Sequence, residues 1–387
     1  MILKMTENPQ YLTEQLITYI GNKRSLLEFI GEAIAFVKKE LNKEKLCTLD
    51  VFSGSGIVSR LLKAHSDFLA VNDLERYAKI INQCYLANAS EIDINQLKEY
   101  YSRITEETER RMQNPEVPGF VTELYAPKET ENVQPGERCF YTNYNARYID
   151  IMRQSIAEIV PENLQQFFIA PLLSQASVHA NTAGIFKGFY KNSKTGIGQF
   201  GGNGKNALSR ICSNIKLPFP VLSEFDCRVR IFQREANELS ISSELYEGLS
   251  DGQFDLVYMD PPYNQHPYGS NYFMLNLIAD YQRPDCEKIS RVSGIPKGWN
   301  RSAYNKKRIA SETFELLVKN IRAKFLVISF NNEGFISREE MEQLLGRYGK
   351  VSVLESEYNA FRGSRNLKNR DVHVSEYLFI LDKRTRN

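Results

Sequence analysis

Apolar residues along this chain follow two rhythms. Short continuous runs closed by turn residues occur at 46–51, 68–71, 229–232, 256–259 and 325–330, and read as buried strands. Between them the apolar positions recur at helical spacing. Leu26, Leu27, Phe29, Ile30, Ala33, Ile34 and Val37 make one such face, and Ile57, Val58, Leu61 and Leu62 make another. Strands that alternate with helices predict an α/β sheet. Two last runs, 351–355 and 376–381, read as a closing hairpin containing a reversed strand. The expectation is a mixed seven-stranded α/β sheet flanked by helices.

The alternation is lost from about residue 90 to 224. Residues 91–111 are charged and helix-prone, and 112–138 hold prolines and turn residues and read as a long loop. A helix carrying Ile149, Met152, Ile156 and Ile159 follows, then an apolar helix over 167–178. The predicted division is therefore a sheet domain formed by 1–90 and 225–387, interrupted by a mainly helical insertion, 91–224.

Length and composition narrow the class. A chain of 387 residues has room for two or three domains, and 42% hydrophobic residues supply a core. With 49 basic and 47 acidic residues the net charge is only +2, so any nucleic-acid contact must come from local patches. Two basic stretches qualify. Lys187, Lys191, Lys194 and Lys205 interleave with Phe189, Tyr190 and Phe200 on a flexible Gly-rich loop that has no acid over 191–206. Arg362, Arg365, Lys368 and Arg370 fall within nine residues of the hairpin connection, again with no acid. Each is also readable as a solvated loop. The six cysteines form no CxxC pair and the four histidines show no metal spacing, so a reduced, metal-free, cytoplasmic protein is expected. No segment approaches the roughly 20 apolar residues of a membrane span.

Chemistry concentrates where strands end. The run 256–259 is stopped by Asp260-Pro261-Pro262-Tyr263. Proline gives a sheet no N–H and fixes its own φ, so an acid, two rigid carbonyls and an aromatic ring are held at a strand's C-terminal edge. Ligands bind at that edge in open α/β sheets. Such a set suits an exocyclic amine on a nucleobase. Acceptors at Asp260 and the Pro261 carbonyl would draw the nitrogen lone pair out of conjugation, while Tyr263 stacks on the ring. The plainer alternative is a strand-to-turn junction carrying a surface acid. After the first strand comes Asp50-x-Phe52-x-Gly54-x-Gly56, which is neither the dinucleotide fingerprint nor a phosphate loop. It suits a ligand with an amino-acid end and no phosphate. Asp73, 17 residues beyond Gly56 and at the end of the second strand, is placed to accept ribose hydroxyls or to cap the next helix. Glu235, after the third strand, could lie over an adenine or cap a turn. Lys23, in the turn Tyr19-x-Gly21-x-Lys23 ahead of a helix, can reach an anionic group.

Taken in order, Tyr19-x-Gly21-x-Lys23, Asp50-x-Phe52-x-Gly54-x-Gly56, Asp73 and Asp260-Pro261-Pro262-Tyr263 resemble the DNA adenine-N6 methyltransferases, specifically the branch of Dam-type enzymes and FokI-type restriction-modification methylases. Tyr268, Asn271 and Tyr272 add to the likeness, as do Asn331-Asn332-Glu333-Gly334 and Phe361-Arg362-Gly363-Ser364-Arg365. The resemblance covers most of 16–90 and 175–381. It implies a Rossmann-like S-adenosylmethionine-dependent fold, with 91–224 as a candidate DNA-recognition domain. It also implies methyl transfer to adenine N6 in a specific double-stranded DNA sequence after base flipping. Tyr19, Lys23, Asp50, Phe52, Gly54, Asp73, Glu235 and Asp260 would bind the donor, with Lys23 near its carboxylate. Asp260, Pro261, Pro262 and Tyr263 would act on the amine. No metal or membrane is called for, and a cognate restriction endonuclease fits as a partner. Two departures stand out. Tyr19 replaces the tryptophan of Dam-type enzymes, and Glu235 a shorter aspartate. Two other readings compete: another amine methyltransferase, acting on RNA guanine or protein glutamine, and a catalytically silent DNA-binding relative.

Overall fold

The computed structural model describes residues 7–114, 119–262, 265–332, 334–359 and 373–385. Seven strands form one sheet: β1 (Leu46–Asp50), β2 (Ser66–Asp73), β3 (Arg228–Gln233), β4 (Phe254–Met259), β5 (Ala323–Asn331), β6 (Lys350–Asn359) and β7 (His373–Asp382). Their order is β3-β2-β1-β4-β5-β7-β6. The first five strands run parallel, and β7 lies antiparallel to both β5 and β6. This is the expected mixed sheet with its reversed strand in the C-terminal hairpin.

The continuous apolar runs have a simple cause. Both faces of the sheet are covered, so alternate residues enter different cores. In β4, Leu256 and Tyr258 pack with the helices Leu27–Leu41 and Ile57–His65. Val257 and Met259 point the other way, to the helices Ala310–Asn320 and Arg338–Gly346.

Between β2 and β3 lie the long helices Ile94–Met112, Asn143–Ile159 and Gln166–Val178. Their core is continuous with the rest: Ile104, Ile149 and Phe168 share one cluster with Tyr77 and Ile81 of the helix Arg76–Tyr85 and with Phe273 and Ile278. The stretch 112–138 is not all loop. A helix, Phe120–Tyr125, interrupts it. Its first amides, Val121 and Thr122, donate to the Asp150 carboxylate at 3.2 and 2.7 Å. That cap comes from a residue some 30 positions on, so no local signal announces it.

Among the described residues, no helix is long and apolar enough to cross a membrane, and no cluster of His, Cys, Asp or Glu could hold a metal.

Candidate active site

The chain leaves β1 toward β2 on one side and enters β4 on the other, so the C-terminal edge between β1 and β4 is the switch point where such sheets bind ligands. The two strands end in register. Asp50 pairs with Tyr258, and the Val51 amide donates to the Tyr258 carbonyl at 3.1 Å. The turn 52–56 and the segment 260–262 therefore emerge side by side.

Two positions of that turn require glycine. Gly54 and Gly56 have φ of +52° and +76°. A Cβ on Gly54 would come 2.7 Å from the Tyr19 ring, and one on Gly56 would come 2.6 Å from Asn82 Oδ1. The Gly54 amide donates to Asp73 Oδ2 at 2.8 Å, and the Glu75 amide donates to Asp73 Oδ1 at 2.9 Å. Asp73 thus ties the glycine turn to the end of β2.

A cleft opens here. Of the residues singled out from sequence, Tyr19, Phe52, Asp73, Glu235, Asp260, Pro262 and Tyr268 line it. Lys23, Asp50, Gly54 and Pro261 are not part of its wall. Asp50 is buried, and its Oδ2 accepts from Ser59 Oγ at 2.6 Å. Glu235 also caps the helix Ala236–Ser240, its Oε2 accepting from the Asn237 and Glu238 amides at 2.8 and 3.0 Å. The capping reading of Glu235 is therefore realised in the structure. Tyr263 lies outside the described residues.

Lys23 stands between two acids. Its Nζ donates to Glu376 Oε1 at 2.6 Å and lies 3.4 Å from Asp260 Oδ1. Glu376, on β7, is fully buried and also accepts from Ser329 Oγ. Asp260 Oδ1 is buried without a hydrogen bond. Burial pushes the Asp260 carboxyl up to about 7, with Lys23 pulling it down and Glu376 pushing it further up. Burial also lifts Asp50 and Glu75 to about 7, and raises Asp73. The cavity wall carries four carboxylates, Asp73, Glu75, Glu235 and Asp260, against one guanidinium, Arg234. Such a site disfavours phosphate and favours a ligand bearing positive charge.

Tyr19, Tyr268 and Tyr272 pack against one another as a triangle of rings, with Tyr19 5.1 and 5.0 Å from the other two centroids and those 5.9 Å apart. Tyr272 Oη accepts from the Ile20 amide at 2.8 Å, and Tyr268 Oη donates to the Ile20 carbonyl at 3.2 Å.

The lysines offered as phosphate contacts are all exposed, and none lines the cavity. Lys187 Nζ lies 3.2 Å from His266 Nδ1, and Lys191 sits 5.0 Å over the Phe189 ring. Lys194 and Lys205 stand on turns that are not loose. Lys191 bridges Gly198, and the Gly201 amide donates to the buried Asn181 side chain at 2.9 Å. Arg362, Arg365, Lys368 and Arg370 lie outside the described residues.

Sequence reasoning missed two parts of the site. Glu376 precedes the apolar run 377–381, and an acid opening such a run is a signal for a buried partner. Asn300, Ser302, Tyr304 and Asn305 line the cavity from a polar stretch with no motif, where Tyr304 alone, an aromatic amid polar residues, marks an anchor.

Sheet order, reversed β7 and a ligand cavity at the β1–β4 edge together define a methyltransferase of the Rossmann-like class. The chain belongs to the D12 class N6 adenine-specific DNA methyltransferase family, whose sequence profile matches residues 19–214 and 227–344. It is similar to the type II methyltransferase M.NlaIII of Neisseria lactamica, 28% identical over 95% of this chain and 99% of that protein. M.CviAII of Paramecium bursaria Chlorella virus 1 is 29% identical, over 94% of this chain and 98% of that relative. M.FokI of Planomicrobium okeanokoites is 25% identical over 94% of this chain, which spans 52% of that longer protein. A DNA-acting family favours adenine in DNA over the RNA-guanine and protein-glutamine alternatives.

Proposed function

We propose that this chain moves a methyl group from S-adenosylmethionine to adenine N6 in a specific double-stranded DNA sequence, with Asp260 as the group that grips the amine. The observation that carries this reading is the Asp260 carboxylate: it is on the cavity wall with its side chain 18% exposed, while its buried Oδ1 faces Lys23. An adenine turned out of the duplex, at a cost of a few kcal/mol, presents N–H donors to such an acceptor. Asp260 and the Pro261 carbonyl hold the two amine hydrogens, and Pro262 keeps both acceptors from drifting. Tyr263 closes over the base.

When bound, S-adenosylmethionine supplies an electrophilic methyl group on a sulfonium centre. Tyr19, Phe52, Asp73 and Glu235 would hold it from the wall, Gly54 from the turn, and Asp50 and Lys23 from behind. Asp73 serves the ribose hydroxyls. Lys23, drawn back by Glu376, leaves Asp260 partly uncompensated and therefore ready for the amine. The catalytic portion is 1–90 with 225–387, and 91–224 reads the sequence, with phosphates met by Lys187, Lys191, Lys194, Lys205 and the hairpin cations Arg362, Arg365, Lys368 and Arg370. Cytoplasmic DNA is the substrate. A cognate restriction endonuclease is the natural partner, given that the relatives are type II methyltransferases.

The test is tritium transfer from labelled donor to DNA, RNA or protein, with methylated adenines mapped by sequencing. The wild-type chain labels DNA. Asp260→Ala loses labelling and keeps duplex binding; equal loss of both refutes this division of roles.

A further inference from the structure

We propose that residues 297–308 form a basic rim that seats the DNA phosphates flanking the turned-out adenine. The proposal rests on the duplex-DNA reading above and adds a surface that the lysines and arginines named there do not include.

Charge is the first observation. Residues 289–311 carry six cations and no acid: Arg291, Lys297, Arg301, Lys306, Lys307 and Arg308. All six are exposed. Among the described residues none has a carboxylate partner, and the ion pair that adjoins the stretch is Lys288 with Asp285. Like charges this close repel one another.

Position is the second. The same stretch faces two ways. Asn300, Ser302, Tyr304 and Asn305 line the cavity, while Arg301 between them and Lys306 next to them point to solvent. The stretch is pinned in place. Tyr304 Oη donates to Asn237 Oδ1 at 2.6 Å, and its ring meets Phe52 edge-on at 5.1 Å. Arg301 is laid over the Trp299 ring at 4.3 Å. The backbone that carries Arg301 and Lys306 is thus held beside the cavity.

The third observation is a broken local rule. Lys306, Lys307 and Arg308 directly precede the helix Ala310–Asn320, whose N-cap, Ile309, provides no side-chain hydrogen bond. Helix starts are stabilised by acids and destabilised by cations. A chain that places three cations there gives up stability locally, and such departures mark functional surface.

Acid inside and base outside would sort a nucleotide by its parts. Four wall carboxylates repel phosphate from the interior. The rim attracts it. A base that swings in keeps its sugar–phosphate chain at the edge, where Arg301, Lys306, Lys307 and Arg308 meet it.

The test uses the full chain, a labelled random-sequence duplex and a salt series. The triple variant Lys306→Gln/Lys307→Gln/Arg308→Gln should flatten the log–log dependence of affinity on salt by about 2–3 and weaken low-salt binding by at least about tenfold. Affinity for S-adenosylmethionine, measured by calorimetry, should not change, which also reports that the variant is folded. The charge-conserving variant Lys306→Arg/Lys307→Arg should preserve the wild-type slope. Trp299 is the only tryptophan in the chain, so its emission should shift on adding duplex as Arg301 leaves the ring for a phosphate. An unchanged slope in the glutamine variant overturns the proposal. So does donor affinity that falls as far as DNA affinity, because the stretch would then only shape the cavity. If the wild type itself neither binds nor labels DNA, the functional reading fails instead.

Discussion

Two aspartates flank one strand and live under opposite conditions. At the start of β4, Asp255 meets Lys43 at 2.8 Å, Lys324 at 3.0 Å and the Cys47 amide at 3.0 Å. Burial pushes its carboxyl up, but the amide and two ammonium groups outweigh that and hold it below the usual value. At the other end, Asp260 has one ammonium, 3.4 Å away, which Glu376 holds more closely. Its carboxyl rises to about 7. Four residues separate a compensated charge from a starved one. The compensated end serves the fold. The starved end has bonding capacity left for a ligand, and it is the end that carries the cavity.

The contrast can be broken by exchanging the roles of the two ends. Asp260→Ala should lower the methylation rate constant by about 10³-fold, whereas Asp255→Ala should leave it near wild type, as read in single-turnover assays. For stability the order reverses. Asp255→Asn should cost about 1–3 kcal/mol in urea melts, because two lysines lose their counter-charge and an NH2 donor replaces one of the two acceptor oxygens. Asp260→Asn should instead stabilise, by about 1–2 kcal/mol at pH 8. The sign follows from a folded pKa near 7 above an unfolded value near 4: ionisation opposes folding above that window, so the gain should fade between pH 7 and pH 4. A flat difference across that range would mean that Asp260 is not strained by its surroundings.

The contrast can also be sharpened. The acid limb of kcat/KM should fall near pH 7 if Asp260 must be ionised. Glu376→Gln removes a negative neighbour, so the limb should move to lower pH, by roughly one unit or less. A variant that merely loosened β7 would lose activity at all pH values with the limb in place. The smallest effect belongs to Lys324→Met, which still leaves Asp255 with Lys43 and should cost only about 0.5 kcal/mol.

The strands were legible because both sheet faces are buried, so each run is apolar throughout. Their ends were less so: β2 and β5 continue past the apolar runs into Asp73 and Asn331, since hydrogen bonding to a neighbour does not require an apolar side chain. Motif residues were legible where local chemistry fixes them, as at Gly54 and Pro261-Pro262. Glu376 and Tyr304 were not, because each acts across more than a hundred residues of chain, on Lys23 and Phe52 respectively. The helix Phe120–Tyr125 was hidden for the same reason, its cap being Asp150.

The clasp around Ile20 has a consequence for how this molecule opens. Two tyrosines that follow the catalytic turn grip both the amide and the carbonyl of one residue near the beginning of the chain. Neither segment can swing away without breaking the other's hold, so the two should exchange amide protons as a single cooperative unit. Local melting at the front of the protein would then silence the enzyme while its sheet stays intact.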